Sequence, residues 1–158
     1  MKIALIGYGK MGKTIEKIAI ARGHEIIHRI DVDNKNLLEK EYLQQAGVAI
    51  EFTTPQTAYE NILKCFAANV PVVCGTTGWL DKWEDLVKKC NDEKQALLYA
   101  SNFSIGVNIF FEINKRLAAL MSSQPQYDVV MEETHHTGKK DAPSGTAITL
   151  AEQILEKI

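Results

Sequence analysis

MKIALIGYGKMG at residues 1–12, followed by GHEIIHRID at residues 23–31, decides the fold. Lys2 to Ile6 is an apolar run of strand length that ends on Gly7, Gly9 and Gly12. Met11, Ile15, Ile18 and Ala19 then recur at helical spacing as far as Arg22 and Gly23. Residues 25–30 form a second β-prone run that closes on Asp31. A strand, a GxGxxG turn, a helix, a strand and a terminal acid, in that order, are the fingerprint of a dinucleotide-binding βαβ unit. Gly7 permits the tight turn, Gly9 lets the backbone approach a pyrophosphate, and Gly12 lets the helix pack close to the sheet. Asp31 accepts hydrogen bonds from ribose hydroxyls, and with Asp33 it repels a 2′-phosphate. That favours NADH over NADPH, while Arg29 and Lys35 lie near enough to act the other way.

Outward from this unit the same alternation continues. Residues 48–52 read as a third strand, broken by Thr53, Thr54 and Pro55, and residues 56–69 read as a helix with Tyr59, Ile62, Leu63 and Phe66 on one face. Residues 70–74 are a fourth strand, GTTG at 75–78 its loop, Leu80, Trp83, Leu86, Val87 and Cys90 a helical stripe, and residues 96–100 a fifth strand. Short apolar strands alternating with helices predict an α/β fold with a parallel, Rossmann-type sheet whose ligand crevice lies beyond the carboxyl ends of the strands. From Ser104 the pattern changes. Residues 107–121 read as a helix, 127–133 as a strand, 135–145 as a loop, and Ile148, Ala151, Leu155 and Ile158 as a last amphipathic helix. That is too little for an independent domain, so a partner or further chain is expected to complete it.

Composition bounds the function classes. The 158 residues are 46% hydrophobic and 24% charged, with formal net charge −2 and a pI near 6.1. No global positive field exists to hold nucleic acid or an anionic membrane. Cys65, Cys74 and Cys90 are odd in number, lack CxxC spacing and sit in apolar-periodic segments, which fits reduced thiols in a cytoplasm. No apolar run reaches membrane-span length, and glycine arrives too early for a signal peptide. A cytoplasmic protein is expected.

The chemistry concentrates in HHTGKKDAPSGTA, residues 135–147. His135 or His136 can give and take protons near neutrality, and Lys139, with Lys140 beside it, supplies a fixed cation or a second acid. Gly145 and Thr146 present backbone N–H groups at a helix start, with Ser144 or Thr146 as cap, a seat for a substrate carboxylate. Adjacent histidines rarely reach one metal, and no further ligand lies at zinc spacing, so no metal is expected. GTTG and ASNF (residues 100–103) end the fourth and fifth strands. Their hydroxyls, the Asn102 amide and the Phe103 ring could meet a nicotinamide and its ribose.

GYGKMG, FTTP at 52–55, GTTGW at 75–79, SNFSIGVN at 101–108 and above all EETHHTGKKDAPSGTA at 132–147 together resemble the 4-hydroxy-tetrahydrodipicolinate (dihydrodipicolinate) reductase family along the whole chain. The resemblance implies reduction of a cyclic unsaturated dicarboxylate by hydride from NADH or NADPH, in lysine and diaminopimelate biosynthesis. It implies His135 as proton donor and Lys139 as second acid, with His136, Gly145 and Thr146 holding substrate carboxylates. Gly7, Tyr8, Gly9, Lys10, Met11, Gly12, Asp31, Gly75, Thr76, Thr77, Ala100, Ser101, Asn102 and Phe103 match the dinucleotide contacts.

By the same resemblance, residues 1–103 form the dinucleotide-binding domain. Residues 104–158 form the first part of an α+β substrate-binding and oligomerisation domain, incomplete because the family continues well beyond this point, and the full-length protein is expected to be a homotetramer. Many members carry one more residue in the glycine loop, so the phosphate contacts are expected to shift by a position. The competing reading is a non-catalytic NAD(P)-binding sensor or interaction module. A different oxidoreductase on the same fold would need a nucleophilic cysteine or another catalytic set after the fifth strand, and none is present.

Overall fold

In the computed structural model, which describes residues 1–138 and 142–158, Met1–Ala100 and Ser101–Ile158 are separate compact units. The first unit contains β1 (Lys2–Ile6), α1 (Lys10–Ala21), β2 (Glu25–Ile30), α2 (Lys40–Leu43), β3 (Val48–Glu51), α3 (Pro55–Ala67), β4 (Val72–Cys74), α4 (Trp83–Asp92) and β5 (Leu97–Tyr99). The five strands are all parallel in the order β2-β1-β3-β4-β5. The expected Rossmann-type sheet is therefore present. Chain direction away from β1 reverses between β1 and β3, which opens the crevice of a doubly wound sheet there.

Period-two alternation explains how one strand serves two cores. Ala4 and Ile6 face the cluster of Leu43, Ile62, Phe66, Trp79 and Leu86, while Ile3 and Leu5 face Ala19 and Ile26. Burying each large apolar side chain in these clusters contributes roughly 1.5–3 kcal/mol. α3 begins with Pro55 in its first turn, where a missing N–H costs nothing, and puts Ala58, Ile62, Cys65 and Phe66 inward. Two elements had no sequence signal. A 3-10 stretch (Val32–Leu38) and the single-turn α2 fill the connection between β2 and β3, and each is too short to show an apolar period.

The second unit contains α5 (Ile105–Met121) and α6 (Gly145–Leu155). Ser104 and Ser144 are their N-caps, accepting from Val107 N at 3.5 Å and Ala147 N at 3.0 Å. The helices are tied by Asn114, whose amide donates to Leu150 O at 3.0 Å and Gln153 Oε1 at 3.1 Å, next to buried Phe111, Ala118 and Ala147. The expectation of a strand over residues 127–133 is not met. That stretch has no ladder partner among the described residues, and Tyr127, Val129 and Val130 stand exposed. A strand exists only when a neighbour takes its N–H and C=O groups. α5 likewise leaves Ile105, Ile109, Ile113, Leu117 and Leu120 more than half exposed along an open groove of about 850 Å³. No helix among the described residues is long and apolar enough to cross a membrane.

Candidate functional site

The first unit carries a cleft of about 500 Å³ at the carboxyl ends of β1, β2 and β3, lined among others by Gly7, Tyr8, Gly9, Asp31, Lys35 and Thr53. Its floor is built by glycines. Gly7 has φ +92°, and a Cβ there would fall 2.0 Å from Phe52 O. A Cβ on Gly12 would fall 2.3 Å from Gly7 O, so the first turn of α1 lies directly on the loop. Gly9 differs, because a Cβ there would meet nothing within 4 Å. The space before Gly9 is open, at the N-terminus of a twelve-residue helix whose first N–H groups have no intrahelical acceptor. Lys10 and Met11 stand exposed in that first turn. These residues fit a dinucleotide pyrophosphate.

Asp31 caps the 3-10 stretch, accepting from Val32 N at 2.9 Å while its own N–H donates to Asn34 Oδ1 at 2.7 Å. A carboxylate has about four acceptor sites, so ribose hydroxyls can still be accommodated. The two cations near it differ in disposition. Lys35 lines the cleft, whereas Arg29 is ion-paired to Glu16 of α1, and Glu16 also accepts from the Tyr8 hydroxyl. Hydrogen bonds from Arg29 and then Tyr8 hold the Glu16 carboxyl below its ordinary range, and the bond to Glu16 pushes the Tyr8 phenol up.

Gly75, Thr76 and Thr77 follow β4. Thr76 is buried, and its hydroxyl donates to Glu51 Oε2 at 2.6 Å and accepts from Thr53 N at 2.7 Å. The expectation that this hydroxyl faces a ligand is corrected: it is turned inward, and Thr76 can present only its backbone. Ala100 closes the first unit, its N–H donating to Cys74 O at 3.3 Å. Burial and then the negative charge of Glu51 push the Cys65 thiol up to about 12, and the same two causes raise Cys74, so neither is a thiolate nucleophile.

The remaining expected residues lie in the second unit. Asn102 donates to Thr146 Oγ1 at 3.3 Å and accepts from Ser104 N at 2.8 Å, Ser101 bonds Thr149 Oγ1 at 3.1 Å, and Phe103 is exposed. His135 Nε2 lies 2.9 Å from Glu133 Oε2. Glu133 also accepts from Ser144 N at 2.9 Å and Ser144 Oγ at 2.7 Å. The Ser144 hydroxyl, then His135, hold the Glu133 carboxyl down at about 2 from an ordinary 4.5. One carboxylate thus ties His135 to the start of α6, beside Gly145 and Thr146. His136 turns its Nδ1 to Gly138 N at 3.2 Å. Lys139, with Lys140 and Asp141, lies outside the described residues.

Sequence reasoning missed Glu133 and Glu51. Two residues apart in extended chain, Glu133 and His135 share a face, which was the available signal for the first. For the second it was a carboxylate inside the apolar run VAIEF.

Residues 1–103 match the family model described as dihydrodipicolinate reductase, N-terminus, and residues 106–158 match its C-terminus counterpart. A 4-hydroxy-tetrahydrodipicolinate reductase of Christiangramia forsetii is 50% identical over 99% of this chain and 65% of its own length. One from Natronomonas pharaonis is 34% identical over the same shares. A dipicolinate-bound dihydrodipicolinate reductase from Paenisporosarcina sp. TG-14 superposes with TM-score 0.71 at 28% identity, covering 99% of this chain and 66% of that one. The chain therefore spans about 65% of the length of the curated relatives it matches. With both halves of the family matched in chain order, this chain belongs to the dihydrodipicolinate reductase family.

Proposed function

We propose that this chain carries the catalytic residues of a 4-hydroxy-tetrahydrodipicolinate reductase, which makes tetrahydrodipicolinate for lysine and diaminopimelate synthesis using NAD(P)H. The observation that carries the reading is Glu133 joining His135 to the capped start of α6. A bound nicotinamide supplies the hydride. His135 gives the balancing proton to the atom beside the carbon that receives it, so that one C–H bond forms from each, and water is lost overall from the hydroxylated substrate. Glu133 keeps the imidazole oriented. His136 and the N–H groups of Gly145 and Thr146 hold the substrate carboxylates, since a helix start favours anions. Lys139 neutralises carboxylate charge and serves as second acid.

Residues 1–103 hold the cofactor through Gly7, Tyr8, Gly9, Lys10, Met11, Gly12, Asp31, the backbone of Gly75, Thr76 and Thr77, and Ala100, with Ser101, Asn102 and Phe103 added from the chain after β5. Residues 104–158 are the first part of a substrate-binding and oligomerisation domain, a cytoplasmic homotetramer being the full-length form. NADH is preferred, because Asp31 borders the cleft and Arg29 is engaged by Glu16.

The test is dicarboxylate-dependent oxidation of NADH by the purified chain and its His135→Gln variant. Turnover should fall by about 10²–10⁴-fold in the variant, the usual worth of a general acid, with NADH affinity retained. Equal turnover in both proteins would remove His135 from the reaction. NADH binding without any dicarboxylate-dependent oxidation in the parent chain would point to a nucleotide-binding module instead.

A further inference from the structure

Glu51 ends β3 with no solvent exposure at all, and no cation is bonded to it among the described residues. Its partners are neutral donors. Thr53 Oγ1 and Asn61 Nδ2 (3.3 Å) donate to Oε1, and Thr76 Oγ1 (2.6 Å) and Cys74 Sγ (3.2 Å) donate to Oε2. Four donors fill the four acceptor sites of one carboxylate. A carboxyl buried this way is costly, and no element of the sheet needs it for its own hydrogen bonds. What it fixes is the loops.

Thr76 belongs to the loop after β4 and Thr53 to the loop after β3. The hydroxyl that Thr76 gives to Glu51 takes the N–H of Thr53 at 2.7 Å, so the carboxylate sets the rotamer that locks one loop to the other. Glu51 also uses its backbone, with O accepting from Gly75 N at 3.0 Å. The next residue, Phe52, extends the lock to the glycine loop. Its carbonyl lies where a Cβ of Gly7 would fall, and its ring where a Cβ of Gly75 would fall. Three loops at the carboxyl edge of the sheet therefore meet on residues 51–53.

We propose that Glu51 is a positioning residue for the dinucleotide site, holding the loops after β3 and β4 in the one arrangement that presents their backbone, and through Phe52 the glycine loop, to NAD(P)H. The proposal rests on the cofactor reading above.

Glu51→Gln keeps the shape but replaces one oxygen by an NH2 group that faces donors. The displaced hydroxyls must turn, and the loops lose their common anchor. Binding of NADH to the whole chain, followed by nicotinamide fluorescence, is compared with thermal midpoints for Glu51→Gln, Thr76→Val and a core control, Leu86→Ala, which lies among buried apolar side chains. We expect about tenfold weaker NADH binding in Glu51→Gln and in Thr76→Val, with the double variant no worse than the weaker single one, since both break one network. Leu86→Ala should lower the midpoint at least as far as Glu51→Gln yet keep its affinity within about twofold, because its cavity lies in the core.

Affinity in Glu51→Gln within twofold of the parent chain overturns the proposal, as does an equal loss of affinity in Leu86→Ala. Should Glu51→Gln not fold, Thr76→Val against Leu86→Ala decides by the same criteria. A parent chain that binds neither NADH nor NADPH overturns the cofactor reading and this proposal with it, a result distinct from a parent that binds and a variant that binds equally.

Discussion

Glu133 shows how much a single side chain can connect. Its Oε1 takes the N–H of the Ser144 cap, and its Oε2 takes the Ser144 hydroxyl together with His135. Because those donors favour the ionised form, its folded pKa of about 2 lies below the ordinary 4.5. A carboxylate depressed on folding contributes stability that is fully present above its unfolded value and is lost as pH falls through the folded one. The thermal midpoint of the parent chain minus that of Glu133→Gln should therefore be flat above about pH 5 and shrink towards nothing near pH 2. A gap that does not change with pH would mean that the carboxylate is not held by Ser144 and His135. The same substitution should lower dicarboxylate-dependent turnover without changing NADH affinity, since no cofactor group is proposed to touch Glu133. The proposed proton donor His135 and anion seat are legible in sequence as residue types, because acid–base and anion chemistry need particular side chains. Glu133 beside His135 and Glu51 beneath the loops after β3 and β4 are not, because a glutamate in a run such as MEETHH or VAIEF declares its partner or its burial only in three dimensions.

At the scale of elements, the turn between β1 and α1 separates two jobs that glycines do. Gly7 needs its left-handed backbone and the space taken by Phe52 O. Gly7→Ala is expected to cost at least about 2 kcal/mol of stability, from the positive φ and the clash together, seen as a lower denaturant midpoint. Gly9 has extended dihedrals, φ −77° and ψ −150°, and an empty front. Gly9→Ala should leave the denaturant midpoint unchanged or raise it slightly, yet weaken NADH binding by about tenfold or more, because the new methyl fills the space a pyrophosphate needs. Equal NADH affinity in Gly9→Ala would place the phosphates elsewhere. This part of the fold was legible because both the glycine spacing and the flanking apolar runs state a backbone requirement directly. The connection at residues 32–47 was not, since a 3-10 stretch and a four-residue helix hold too few residues for any periodicity. The last helix frays at Leu155, although Ile158 continues the apolar spacing.

For the whole molecule, legibility divides at the boundary between the units. In Met1–Ala100 local pattern and tertiary partner agree, because each strand finds its neighbour within the unit. In Ser101–Ile158 they do not: among the described residues, 127–133 have the composition of a strand without a ladder, and the apolar stripe of α5 stays more than half exposed. A hydrophobic pattern specifies a face and not what fills it. An uncovered stripe of Ile105, Ile109, Ile113 and Leu117 is the kind of surface that soluble chains bury by association. The sedimentation coefficient of this chain should accordingly rise with concentration. Ile109→Glu combined with Ile113→Glu puts two carboxylates on the stripe and should abolish that rise. NADH affinity should stay within about twofold, since neither residue lines the cleft or belongs to the unit that holds it. A sedimentation coefficient that is independent of concentration in the parent chain would show that the stripe tolerates water as it stands. A rise that survives both substitutions would move the association to the strand-like segment at residues 127–133.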